Sequence, residues 1–219
     1  MKSVVVLSGG QDSTTCLYWA RSRHHDNVAA ITFDYGQNHK VEVECSKEIC
    51  RLTNTPQTIV KMDFLNDIIE SEMLKGGDTS KINEKGLPSS FVPNRNALFL
   101  TLAHAFAQKL KAIELVAGMC ETDYSGYPDC RATFITSLGE VLNQGSDSKI
   151  LIYAPLMYKS KAETFKLAER LQCLNEVLKY SHTCYKGDRN HWNDWGYGCG
   201  TCPACLLREK GWKEFKGIK

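Results

Sequence analysis

The sequence predicts an α/β fold, an open and mostly parallel doubly wound sheet followed by a C-terminal helical metal-binding appendage. Three observations carry this. Short β-branched runs alternate with stretches of helical periodicity through residues 1–180, the pattern of a parallel sheet with helices on both faces. The first run leads at once into a glycine turn and a helix start, and four of the ten cysteines crowd the C-terminal end. The expected division is 1–180 for the α/β domain and 181–219 for the metal-binding helical segment.

Val4, Val5, Val6 and Leu7 form a run too short for a helix and read as a buried strand. Ser8, Gly9 and Gly10 let the backbone turn sharply and bring N–H groups against an anion. After Gln11, Asp12 or Ser13 is expected to cap a helix over about 14–21, whose N-terminus carries about half a positive charge. Strand, turn and helix start make an anion cradle; the bland alternative is a turn that binds nothing. Residues 28–33 read as a second buried strand ending in Asp34-Tyr35-Gly36-Gln37. Val41, Cys45, Ile49 and Leu52 then recur at helical intervals over 38–52, and 58–60 supply a third strand. In such sheets the ligand crevice lies at the carboxyl ends of the strands. Phe33, Asp34 and Tyr35 are therefore candidates for holding a nucleoside, with a plain strand-to-helix turn as the alternative.

Residues 71–90 are polar and broken by Gly76, Gly77, Gly86 and Pro88, which predicts a long loop or lid. Phe91-Val92-Pro93-Asn94-Arg95-Asn96 follows, with a buried alanine-rich helix over 97–110. Asn94 suits a positive φ. Arg95, at the mouth of that helix, should face phosphate or carboxylate, or else make a surface ion pair. Residues 113–119 give a fourth strand. The segment from Cys120 to Arg131 then gathers Glu121, Asp123, Tyr124, Ser125, Tyr127 and Asp129 in one short loop, the composition of a recognition loop. A helix over 134–142, a fifth strand over 149–153 and a capping box of Ser160 and Glu163 complete the domain. Lys161 in the first turn opposes the helix dipole and is expected to serve bound phosphate instead.

With 219 residues, a formal charge of +2 and 24% charged residues, the chain can bury a full core and has no dominating field. Stable nucleic-acid binding and membrane attachment are not implied. A single Lys and a short apolar run before Ser8 fall well below the roughly 7–15 residue core of a signal peptide. No segment approaches the roughly 18 apolar residues of a membrane span. A cytoplasmic protein is expected.

Cys184, Cys199, Cys202 and Cys205 have the tight spacing of a closed tetrahedral zinc site. An iron–sulfur site or a redox pair of Cys199 and Cys202 are the alternatives. Pro203 can start the following helix. Tyr185, His191, Trp192, Trp195 and Tyr197 read as a small core over the knuckle. Arg208, Lys210, Lys213 and Lys216, interleaved with Glu209 and Glu214, read as a solvated helix face. Trp212 and Phe215 could serve a twofold homodimer interface.

Ser8-Gly9-Gly10-Gln11-Asp12-Ser13 is similar to the Ser-Gly-Gly-x-Asp-Ser signature of the PP-loop ATP pyrophosphatases, whose sheet is Rossmann-like. Together with Phe33-Asp34-Tyr35-Gly36-Gln37, the Phe-Val-Pro-x-Arg-Asn run, the loop from Cys120 to Arg131, Pro155-Leu156-Met157, Lys161-Ala162-Glu163-Thr164 and the terminal cysteines, it resembles the 7-cyano-7-deazaguanine synthase family over nearly the whole chain. The resemblance implies a carbon–nitrogen ligase that uses ATP and ammonia to turn 7-carboxy-7-deazaguanine into the nitrile through an acyl adenylate and an amide, a step toward queuosine. It implies ATP against Leu7, Ser8, Gly9, Gly10, Gln11, Asp12, Ser13, Thr14, Thr15, Cys16 and Leu17, with Mg²⁺ on the departing pyrophosphate. Asp12, Ser13, Arg95 and Lys161 would be the catalytic set. Phe91, Arg95, Asn96, Glu121, Asp123, Tyr124, Ser125, Tyr127, Asp129 and Arg131 would bind the base, and the four cysteines Zn²⁺. Two departures stand out: Asn94 where the family has glycine, and a longer, aromatic-rich link between Cys184 and Cys199. The link leaves open an amine acceptor other than ammonia, on a protein or nucleic acid. A transfer-RNA thiolation enzyme and a non-catalytic ATP-and-zinc scaffold are the other readings.

Overall fold

The computed structural model describes residues 1–36, 40–68, 87, 91–122 and 127–218. The polar stretch expected to form a lid, apart from Leu87, lies outside the described residues, as do Gln37, Asp123, Tyr124 and Ser125.

Five strands form one parallel sheet: β1 (Ser3–Val6), β2 (Val28–Asp34), β3 (Gln57–Lys61), β4 (Glu114–Val116) and β5 (Leu151–Tyr153), in the order β3-β2-β1-β4-β5. The chain winds outward from β1 to one edge and then returns to build the other, so strand order reverses between β1 and β4. That is the switch point at which such sheets bind ligands. The helices are α1 (Gln11–His24), α2 (Val41–Leu52), the short α3 (Leu65–Ile68), α4 (Arg95–Lys109), α5 (Ala132–Ser146), α6 (Lys161–Arg170), α7 (Leu174–Tyr180) and α8 (Pro203–Lys216).

Alternation of side chains along β1 makes the two cores. Val4 joins Ile31, Phe33, Leu115 and the α4 residues Phe99, Leu100 and Ala103. Val5 and Leu7 join Leu17 and Ala20 of α1, Ile49 of α2, Val116 and Leu156 on the other face. Consecutive strand residues point to opposite faces, so a central strand covered on both must be apolar throughout. Both edge strands are more exposed, as their burial patterns show.

Several boundaries differ from the sequence expectation. Helix α1 begins three residues earlier than expected, at Gln11, with Gly10 as its uncapped N-terminal residue. Asp12 and Ser13 are therefore inside the helix, and neither is its cap. The α6 capping box is present, with Ser160 Oγ accepting from the Glu163 N–H at 3.2 Å and the Glu163 carboxylate accepting from the Ser160 N–H at 2.8 Å. Asn94 adopts φ 56°, the left-handed conformation expected of it.

The C-terminal segment is a knuckle, a two-stranded hairpin of β6 (Trp192–Asn193) and β7 (Gly196–Tyr197), and α8. Its apolar cluster takes in Phe165 of α6 and Leu178 of α7 along with Trp195 and Trp212. Trp212 stacks edge-on against Phe165 at 5.2 Å and is 8% exposed. It belongs to the chain's own core, which corrects its assignment to a dimer surface. Trp195 lies in that core, whereas Trp192 and His191 are exposed. Among the described residues no helix is long and apolar enough to cross a membrane.

Candidate active site

The turn after β1 is held by its own hydroxyls. Ser13 Oγ accepts from the Ser8 N–H at 3.1 Å and lies 3.0 Å from Ser8 Oγ, and Ser8 Oγ accepts from the Gly10 N–H at 3.2 Å. Gly9 has φ 91°, and a Cβ there would fall 2.0 Å from the Glu42 carbonyl oxygen. Only glycine lets the loop rest on the first turn of α2. Gly118, just past β4, is packed against Ser13 and Asp12, where a Cβ would meet the Ser13 nitrogen at 3.1 Å. The ends of β1 and β4 thus meet at the switch point, below an α1 N-terminus that no side chain caps. Free N–H groups and the helix dipole make that end attractive to an anion.

Above this loop, Lys161 Nζ donates to Asp12 Oδ2 at 2.6 Å, joining residues 149 apart in sequence. The other Asp12 oxygen is buried without a hydrogen-bond partner, as are both amide atoms of Gln11. Unpaired buried polar groups of this kind are costly and call for a partner such as water, an ion or a ligand. The side chains of Leu7, Cys16 and Leu17 are fully buried in the core, and Phe33 is stacked on Phe99 at 4.5 Å. These four can offer a ligand only backbone.

Across the crevice, the Arg95 guanidinium donates to Tyr35 Oη at 3.3 Å and sits over the Tyr35 ring. Burial works against its charge, but the nearby Tyr35, Tyr127 and Asp129 outweigh that, and Arg95 stays firmly protonated. Phe91 packs on Tyr127 at 5.4 Å. Two carboxylates expected to read a base are engaged elsewhere: Asp129 Oδ2 accepts from the Asn96 N–H at 3.0 Å and Glu121 Oε2 from the Ala132 N–H at 3.0 Å. They cap α4 and α5, and Arg131 is exposed. Asn96 is spent in the same way, its amide donating to the Asp129 carbonyl at 3.4 Å.

Three residues near the crevice have places that the sequence does not predict. Glu42 is half-buried and faces Arg95 and Tyr35, and its carboxylate has no hydrogen bond or ion pair among the described residues; burial raises its pKa to about 7, Arg95 pulling the other way. Tyr185 from the knuckle reaches Tyr127, burial and that contact raising its phenol. Arg208, expected on a solvated face, is 1% exposed. Spacing was the available signal. Glu42, Cys45 and Ile49 form one helical stripe, and so do Cys205, Arg208 and Trp212. Lys210 and Lys213 do lie on a solvated face as expected, beside Glu214 and Glu209.

The four C-terminal thiols lie within 4.8 Å of one another. Cys199 and Cys205 sulfurs are 3.9 Å apart, and Cys202 and Cys184 4.0 Å, close to the edge of a tetrahedron with metal–sulfur bonds of about 2.3 Å. Gly200 at φ 70° makes the knuckle turn, and the N–H groups of Thr201 and Cys202 both donate to Cys199 Sγ at 3.4 Å. This donor set fits a soft or borderline divalent metal.

The model of the family described as "Queuosine biosynthesis protein QueC" matches residues 2–216. The chain is 52% identical to the 7-cyano-7-deazaguanine synthase of Wolinella succinogenes over 98% of its own length and 93% of the relative's. It is 46% identical to the protein of that name from Helicobacter pylori strain P12, over 97% and 95%. Among solved structures, NMN synthetase from Francisella tularensis superposes with a TM-score of 0.51 at 15% identity, covering 100% of this chain and 78% of that one. That likeness speaks to the fold alone. The glycine loop, the five-stranded sheet and a match that leaves only four terminal residues outside it agree: the chain belongs to the QueC family of queuosine biosynthesis proteins.

Proposed function

We propose that the chain is a 7-cyano-7-deazaguanine synthase, an ATP-dependent ligase that converts 7-carboxy-7-deazaguanine and ammonia to the nitrile. The reading rests on near full-length identity to proteins of that name, and the Lys161–Asp12 pair poised over an uncapped helix N-terminus supports it most directly. These relatives do not favour the alternatives, a transfer-RNA thiolation enzyme or a scaffold.

The chemistry needs two activations. The substrate carboxylate displaces pyrophosphate from ATP, giving an acyl adenylate. Ammonia then displaces AMP, releasing one proton and leaving the amide. The amide oxygen takes AMP from a second ATP, and loss of that AMP with the nitrogen protons leaves the nitrile. Two ATP thus yield two AMP and two pyrophosphate. In each half charge builds on a departing pyrophosphate and must be met by fixed donors in a site closed to water.

In this reading Ser8, Gly9, Gly10, Gln11, Asp12, Ser13, Thr14 and Thr15 receive the phosphates, largely through backbone N–H groups and hydroxyls. Lys161 exchanges Asp12 for phosphate oxygen, and Arg95 meets charge from the opposite wall. Asp34 and Tyr35 border the adenosine, and Phe91 and Tyr127 stack on the base, joined by Asp123, Tyr124 and Ser125. Mg²⁺ supplies further positive charge to the leaving pyrophosphate, and the unpaired Asp12 oxygen is a fitting ligand for it. Zn²⁺ held by Cys184, Cys199, Cys202 and Cys205 is structural, since four thiolates leave no open position. Ten free thiols suit the reducing cytoplasm. A homodimer is the expected assembly, read by light scattering.

The test is mass spectrometry of the purified protein with ATP, the carboxy base and ammonium. The nitrile should appear with two AMP per turnover; its absence in protein that binds ATP overturns the proposal. An adduct to a protein or nucleic-acid amine in place of the nitrile would assign the aromatic link a role in acceptor choice.

A further inference from the structure

Helix α8 runs from the cysteine cluster along α6, and two of its residues do what a surface appendage has no need to do. Arg208 lies one turn beyond Cys205. Its guanidinium donates to Thr183 Oγ1 at 3.2 Å, the Val177 carbonyl at 3.1 Å and Ser181 Oγ at 3.2 Å. Its Nε is buried without a partner, and no carboxylate lies within ion-pair distance among the described residues. Burying a cation on neutral acceptors is unfavourable, so stability alone is a poor reason for an arginine here.

What Arg208 holds explains its place. The segment from Ser181 to Thr183 lies along the glycine loop: the His182 N–H donates to the Gly9 carbonyl at 2.9 Å, and a Cβ on Gly10 would meet the His182 carbonyl at 3.5 Å and the Thr183 methyl at 3.8 Å. Arg208 thus fixes the strip of chain against which the loop is braced. Burial pulls the Arg208 pKa down to about 10, and Asp12, in the first turn of α1 after the loop, is the largest of the charges that oppose this.

One turn further along, Gly211 touches Lys161. A Cβ at 211 would fall 2.3 Å from Lys161 Cβ, 3.0 Å from the Lys161 carbonyl carbon and 3.2 Å from the Ala162 nitrogen. The clash would be with the root of the lysine side chain and with backbone, neither of which can swing away. Any residue but glycine at this point moves the base of Lys161, whose ammonium reaches Asp12 at 2.6 Å.

We propose that Arg208 and Gly211 are positioning residues of the phosphate site, Arg208 by bracing the glycine loop through Ser181–Thr183 and Gly211 by seating Lys161. This rests on the assignment of ATP to the glycine loop. If α8 only locked the fold, its variants would lose melting temperature and keep their nucleotide affinity.

The test uses the full-length protein as purified, with metal content measured for each variant. Binding of ATP and of inorganic pyrophosphate is read by calorimetry, without carboxy base or ammonium. Gly211→Ala and Arg208→Lys should bind both at least tenfold more weakly while keeping wild-type metal content. At saturating ATP, kcat should fall less than KM rises. The control is Gly145→Ala on α5, where a Cβ meets nothing within 4 Å; it should bind as the wild type does. Wild-type affinity in folded, metal-loaded Gly211→Ala and Arg208→Lys overturns the proposal, and if Gly211→Ala fails to fold, Arg208→Lys decides alone. Wild-type protein that binds ATP but makes no nitrile counts against the proposed function and leaves this inference intact.

Discussion

The two walls of the crevice are built on different plans. The wall around the glycine loop is local: Ser8, Gly10, Ser13 and Thr14 bond to one another within a few residues, and glycine is required where Gly9 meets α2. The opposite wall is assembled from distant parts, with Tyr35 after β2, Glu42 on α2, Arg95 on α4, Tyr127 before the 3₁₀ turn Pro128–Cys130 and Tyr185 in the knuckle. Local walls suit a phosphate, which any chain can present in one way. Assembled walls suit a particular substrate, because five segments must agree before the pocket has its shape.

That difference can be broken at the local wall first. Lys161→Met removes the cation nearest the loop while keeping the bulk of the side chain. Under the proposed function, nitrile formation should fall about 10²- to 10³-fold, the loss seen when one preorganised charge is removed from a transition state. Steady-state kinetics with AMP detection checks this. A smaller than tenfold loss would place the phosphate charge elsewhere.

The assembled wall makes a pH prediction. Burial raises the Glu42 pKa from 4.5 to about 7 in the folded chain, with Arg95 opposing. Below about pH 4.5 both folded and unfolded chains carry the proton and no cost arises. As pH climbs toward 7 the unfolded chain releases its proton first, so the Glu42 contribution to stability is lost through that window. Glu42→Gln should flatten the dependence, gaining about 3 kcal/mol on the wild type between pH 4.5 and 7.5. Urea melts at the two pH values measure it, and parallel curves would show that Glu42 is solvated or paired.

The smallest effect belongs to the junction between the walls. Asn94 holds φ 56° before α4. Asn94→Ala should cost about 1 kcal/mol and Asn94→Gly only a few tenths, read from urea midpoints; equal costs would mean that the Asn side chain, not its backbone tolerance, matters.

The same contrast explains what was legible in the sequence. The glycine loop, the Ser160 capping box, the left-handed Asn94 and the cysteine knuckle are short-range patterns whose physics is complete within a few residues. Helix α1 starts three residues before the sequence expectation: Asp12 and Ser13 are favoured as caps, while here their side chains serve Lys161 and Ser8. Asp129 and Glu121 looked available for a base, yet helix ends one loop away claim them. Arg208 sits between a leucine and a glutamate, in a run of charges that reads as solvated. Only its spacing from Cys205 and Trp212 placed it inside, and charge alternation was the louder signal. The Tyr185–Tyr127 contact links loops nearly sixty residues apart and leaves no local trace.

The most direct measurement is isotope exchange between pyrophosphate and ATP, catalysed by the purified protein in the absence of ammonia. A carboxylate activated on the glycine loop predicts exchange that appears only when 7-carboxy-7-deazaguanine is added and that disappears in Lys161→Met. Exchange without the acid, or none with it in protein that binds both ligands, would contradict the account.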